Sequence, residues 1–122
     1  MKPILALLLL VFSLSALADT AWTEDDRDLA LASGALLALD WHTTRTLAEN
    51  NWCGHHCFET NPMLGRYPSA RAVDRHFMLT PLIFMAADQF PEYRHSILMG
   101  TVIVESIAVT NNMVKFGWSW RF

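Results

Sequence analysis

The chain has no run of basic residues, no internal repeat, no low-complexity linker and only two cysteines in 122 residues. Nine Lys and Arg against twelve Asp and Glu leave a net charge of −3. Without a basic patch the electrostatic footprint that nucleic acid demands is missing, which argues against DNA or RNA as a partner. Long apolar runs are scarce beyond the first 18 residues. The stretches Leu29–Leu39 and Phe77–Ala87 are each shorter than the roughly 20 residues of a membrane span. Strands are also few, so even the smallest single-chain β-barrel, with its eight strands, is out of reach.

What is present begins with an export signature. Lys2 supplies a positive start, Ile4 to Leu14 an apolar run, and Ala16-Leu17-Ala18 a small-residue cleavage site before Asp19. Residues 1–18 therefore read as a signal peptide and 19–122 as a single helical domain with one core. The expected location is the bacterial cell envelope, either the inner membrane or the periplasm.

Three helices are expected. Thr23 is a suitable N-cap ahead of Glu24, Asp25 and Asp26, whose carboxylates suit the positive end of a helix that runs to about Ala48. Ala30, Gly34 and Ala38 form a smooth ridge on it for close helix approach. Asn50-Asn51-Trp52 ends this helix, and the loop to Pro68 is dense in turn formers. Ser69 can cap a second helix to about Phe90, which Pro81 should kink or split near Leu79-Thr80. A third helix should run from Tyr93 to Asn111. After it, Val114, Phe116, Trp118, Trp120 and Phe122 alternate with Lys115, Gly117, Ser119 and Arg121. That period of two predicts a short extended aromatic tail packed on an all-α three-helix bundle.

Polar residues recur at helical spacing inside these apolar segments: Asp40 and Thr44 with His42 and Arg45 nearby, then His76 and Thr80, then Glu105 and Asn112. A buried carboxylate is costly unless paired or hydrogen-bonded. Glu105, in GTVIVESIAV, therefore has two readings. It is a strut held with Asp40 by Arg45 and Asn112, or a reactive group with a raised pKa. In the second case Asp40, His42, Glu59, His76 and Glu105 are the catalytic candidates of a metal-dependent or membrane-embedded hydrolase.

The cluster Trp52-Cys53-Gly54-His55-His56-Cys57 has three readings. In an oxidising compartment the two cysteines form a disulfide. Alternatively Cys53, His55, His56 and Cys57 bind a metal, with zinc the ion such a set would take. The third is a redox pair, since WCGHHC resembles the WCGHC active site of thioredoxin-fold isomerases with one residue inserted. That motif needs two intervening residues at a helix N-terminus to make an exposed thiolate.

From Glu59 to Ser69 the chain, ETNPMLGRYPS, resembles a group of small bacterial proteins of unknown function with an E-x-N-P-x-L-G-x-x-P-S segment. In them it follows a D-W-x-x-T helix end, here Asp40-Trp41-His42-Thr43-Thr44. The resemblance implies a short exported or membrane-embedded helical protein and points to Asp40, Thr44, Arg45, Glu59, Asn61 and Glu105. Locally, Asn61 before Pro62 is extended, Gly65 permits a left-handed turn, and Glu59 faces Arg66 across the bend.

Topology has two readings. Charge asymmetry suits three spans with the cysteine loop in the cytoplasm, although Glu105 in mid-span would cost about 2.5–3.5 kcal/mol. A disulfide requires the opposite side. The reading taken forward from the sequence is a non-enzymatic envelope or membrane accessory that contacts the membrane, a protein partner or a second copy of itself. A thiol- or metal-binding role through WCGHHC is the other alternative.

Overall fold

Thr23 sets the first helix. Its hydroxyl accepts the Asp26 N–H at 3.1 Å, and helix α1 runs over Glu24–Glu49. The computed structural model describes residues 22–115. The expected signal peptide and most of the aromatic tail lie outside the described residues.

Ser69 caps the next helix in the same way, accepting from Ala72 N at 3.2 Å, and α2 spans Ala70–Phe77. Pro81 does split the second helical segment. Helix α3, Pro81–Gln89, begins on the proline, whose missing N–H costs nothing at a first position. Among the described residues the bundle thus has four helices where three were expected. Between α2 and α3, Leu79 and Thr80 close tight turns onto the carbonyls of His76 and Phe77. The last helix, α4, covers Arg94–Lys115. Val114 and Lys115, the start of the alternating pattern, are helical, because helix continuity prevails there over period-two patterning.

Helices α1 and α4 run parallel, and α2–α3 returns between their ends. Ser33 Oγ donates to Leu98 O at 3.3 Å near one end of the α1–α4 contact, and Asn112 meets Asp40 and Thr44 near the other. Ala30 and Gly34 are buried, so this part of the small-residue ridge serves packing within the bundle; Ala38 is exposed. Leu37, Val73, Phe77, Phe84, Ala87 and Leu98 fill the core. At the far end Trp22 Nε1 donates to Asp88 Oδ1 at 3.1 Å. Arg94 is buried there, with Nε bonded to Ala87 O and its guanidinium 4.4 Å from the Trp22 ring centroid.

The connection after α1 is a left-handed turn. Asn51, Trp52, Cys53, Gly54 and His55 all have positive φ, between 51° and 69°. Residues with side chains pay roughly 1–2 kcal/mol each for that conformation, so something must hold it. Two things do. Cys53 and Cys57 are joined as a disulfide. Trp52 is buried, with its indole N–H on Pro68 O at 3.0 Å.

Candidate functional site

Past the left-handed turn, the loop is folded by its own backbone. Glu59 N bonds Arg66 O at 2.9 Å, and Asn61 Oδ1 accepts Met63 N at 3.0 Å. Gly65 takes φ 78°, as a turn there requires. Glu59 Oε1 turns back onto the N–H groups of Thr60 and Asn61, at 2.8 and 2.7 Å. Glu59 and Arg66 therefore pair through backbone rather than side chains. The Arg66 guanidinium stacks on Phe58 and Tyr67 instead. Asn111 on α4 anchors the loop, donating to Thr60 Oγ1 at 3.0 Å.

This loop closes one side of a cleft of about 470 Å³ against α1, α2, α3 and α4. Asp40, Glu59, Asn61, His76 and Glu105 supply its chemistry, and Pro62, Val104 and Ile107 are among its apolar walls. Of the residues expected from sequence, Asp40, Thr44, Glu59, Asn61, His76, Glu105 and Asn112 all meet here. His42 does not. It lies exposed on the outer face of α1.

Asn112, 3 % exposed, is the centre of the polar contact. Its side-chain amide reaches Asp40 Oδ1 at 2.8 Å, Thr44 Oγ1 at 2.8 Å and Thr43 Oγ1 at 3.1 Å. The Thr44 hydroxyl donates to Asp40 Oδ1 at 3.0 Å. Glu105 completes the group through a carboxyl–carboxyl hydrogen bond with Asp40. Burial first, then the Asp40 charge and that bond, push the Glu105 carboxyl up to about 7. Burial likewise raises Asp40, opposed by the hydrogen bonds from Thr44, Glu105 and Asn112. Two carboxyls in such contact resist ionising together, because like charges at that range repel. Behind them, burial lowers the Lys115 ammonium, while the charges of Glu59 and Asp40 pull the other way.

Arg45 does not hold Asp40 or Glu105. Its Nε bonds Asp74 at 3.1 Å, and its Nη1 pairs with Glu49 one turn along. Asp74 also takes the Trp41 indole N–H at 2.8 Å, tying α1 to α2. The long guanidinium at the end of α1 reaches the carboxylate on the neighbouring helix because that one is half-open and already oriented by Trp41. Asp74 was missed from the sequence because nothing in its local pattern marks it. His76 Nε2 lies 3.3 Å from Asn61 Nδ2, tying α2 to the loop.

The cysteine cluster resolves towards the disulfide. With both sulfurs bonded, neither is a thiolate ligand, and the His55 ring rests edge-on against Tyr67. Cys53 also sits in a left-handed turn and not at the N-terminus of a right-handed helix, so the dipole that activates a redox thiolate is missing. Among the described residues no group of three or more His, Cys, Asp and Glu is placed to hold a metal ion. Helix α4 is long and apolar enough to cross a membrane, by length and composition.

No protein-family model, curated protein or solved structure matches this chain.

Proposed function

We propose that this is an exported, non-enzymatic protein of the bacterial envelope that holds a small ligand in the cleft between the Glu59–Leu64 loop and the helices. One observation carries the reading: polar side chains from α1, α2, α4 and the loop converge on one apolar-walled space of about 470 Å³. That is the size and the lining typical of small-molecule sites. The disulfide supports an oxidising compartment and therefore the outer side of the inner membrane.

We place the bundle against the membrane rather than across it. The apolar layer shared by the helices extends along α1 over Leu29–Leu39, about 16 Å at 1.5 Å per residue. A hydrocarbon core is about 30 Å thick. Leu82 and Met85 on α3 and Ile103 and Ile107 on α4 are more than half exposed at this level and suit lateral contact with lipid.

A fragment screen by NMR on the oxidised, exported protein tests the ligand reading. Fragments that shift the amides of Asn61, His76 and Asn111 in the wild type, and fail to in a cleft-filling Ala108→Trp variant, are expected. A library that leaves those amides unmoved would remove the reading.

A second reading is acid–base hydrolysis, favoured by the Asp40–Glu105 pair. A carboxyl near 7 can both give and take a proton at neutral pH. It predicts turnover of an ester or glycoside in a fluorogenic panel, abolished in Glu105→Gln with the fold intact.

A further inference from the structure

The cleft is polar inside and apolar at its mouth. Met63 on the loop, Leu79 ahead of α3, and Val104 and Ile107 on α4 all line it, yet each is more than half exposed. The mouth therefore opens between the loop, α3 and α4. Leu82 and Ile103 stand next to Ile83 and Val104 of its wall, outside the cleft, and are also more than half exposed. The apolar wall is thus continuous with the face placed against lipid.

That face suits hydrocarbon better than a second protein. From Ser96 to Val114 the one Asp, Glu, Lys or Arg is Glu105, which lines the cleft. On α3 it is Asp88, in the last turn, where it accepts from the Trp22 indole. Two α4 hydroxyls are satisfied within their own helix. Thr101 Oγ1 donates to Ile97 O at 2.8 Å and Thr110 Oγ1 to Ser106 O at 2.7 Å. Polar groups in a lipid phase need such internal partners, whereas a protein interface uses about one hydrogen bond per 100–200 Å² across the contact. Only 17 % of the most apolar stretch of α4 is buried within the bundle, which leaves most of it for lipid.

The polar end does not select one sign of charge. Asp40, Glu59 and Glu105 bring carboxyl groups, and the Lys115 ammonium beside them interacts with the charges of Glu59 and Asp40. Glu59 Oε2 and Lys115 Nζ are both buried, each without a hydrogen-bond partner among the described residues. One is an acceptor and the other a donor. A hydroxyl serves both, whereas a carboxylate or an ammonium serves one and opposes the other. A cavity of about 470 Å³ takes a ligand of modest size, so a long chain must leave it through the mouth. We propose, resting on the cleft being a ligand site, that it takes an uncharged single-chain amphiphile from the bilayer. The hydroxyl-bearing head enters between the loop and α4, and the hydrocarbon chain leaves over Val104 and Ile107 into the lipid.

The test presents 1-oleoylglycerol, oleate and oleylamine to the oxidised, exported protein in phosphatidylcholine nanodiscs, and 1-hexanoylglycerol in water. Binding is read from the Asn61, His76 and Asn111 amide shifts. 1-Oleoylglycerol is expected to saturate them at a mole fraction about tenfold lower than oleate or oleylamine, whose charge would be set against a like charge. Leu82→Glu with Ile103→Glu, on the exposed face outside the cleft, should bind 1-hexanoylglycerol as the wild type does and lose about tenfold or more in loading from nanodiscs. The wild-type comparison of heads stands by itself if that variant fails to fold. Equal binding of oleate or oleylamine overturns the uncharged head. Undiminished loading of the double variant, or shifts with 1-hexanoylglycerol in water and none with 1-oleoylglycerol in nanodiscs, overturns the bilayer source. Failure of every probe overturns the amphiphile and leaves the ligand site in place; an empty fragment screen as well removes both.

Discussion

Asn112 on α4 gives its side-chain amide to Asp40 on α1 across 2.8 Å, joining residues 72 positions apart in sequence. The amide has two hydrogens and three acceptors in reach, so it bridges Asp40, Thr43 and Thr44 together. Asn112→Leu keeps the volume and removes every one of these bonds. It is expected to cost about 2–4 kcal/mol in urea unfolding, chiefly because the buried Asp40 carboxyl loses a donor. A change below 0.5 kcal/mol would mean that water replaces the amide at no cost.

Glu105 makes stability depend on pH in a stated direction. Its carboxyl is raised from 4.5 to about 7, and Asp40 is raised beside it. Between about pH 4.5 and 7 the native protein holds more protons than the unfolded chain, so its stability falls as pH rises through that window. Glu105 is partly open to solvent, which screens the effect, and a loss on the order of 1–2 kcal/mol between pH 5 and 7.5 is expected. Chemical denaturation at several pH values checks it. Glu105→Gln should flatten the slope, and a wild-type profile that rises with pH would show that the two carboxyls do not resist ionising together.

Asp74 holds α2 to α1 through Trp41 and Arg45. Asp74→Ala should destabilise by about 1–3 kcal/mol, since the Trp41 indole N–H loses its acceptor in a half-buried setting. Glu49→Ala removes only an exposed ion pair and should stay within about 0.5 kcal/mol. Thermal melts of both variants separate the two contributions.

Reduction of Cys53–Cys57 frees a very small ring. Chain-entropy arguments give about 2 kcal/mol for a loop of this size. Cys57→Ser should lower stability by about that much. In intact cells, a membrane-impermeant maleimide should label the wild type only after reductant is added. Labelling that needs no reductant but does need the inner membrane opened would put the loop in the cytoplasm and withdraw the outward placement.

Much of the helical frame could be read from local chemistry. Thr23 and Ser69 act as the caps their positions suggested, and Pro81 divides the second segment where its ring forbids continuation. Helical spacing also identified Asp40, Thr44, Glu105 and Asn112 as inward-facing. Pairing was harder to read. Arg45 could be assigned to any carboxylate on a neighbouring face, and the choice of Asp74 depends on how α2 lies against α1. The turn at Asn51–His55 was unreadable for a different reason. Five residues with positive φ in a row contradict the local preference of Trp and Cys, and the turn exists because a disulfide and the Trp52–Pro68 bond hold it.

The parallel arrangement of α1 and α4 has a consequence for how the chain is made. Ser33 waits for Leu98, 65 residues downstream, before its hydroxyl has its native partner. At synthesis rates of about 5–20 residues per second that delay is roughly 3–13 s. During it α1 has left the ribosome with its apolar stripe uncovered. Few contacts can form early, and loop closure must precede the reward. A chain stalled between α3 and α4 is therefore expected to expose the α1 stripe and to aggregate rather than persist as a half-folded domain.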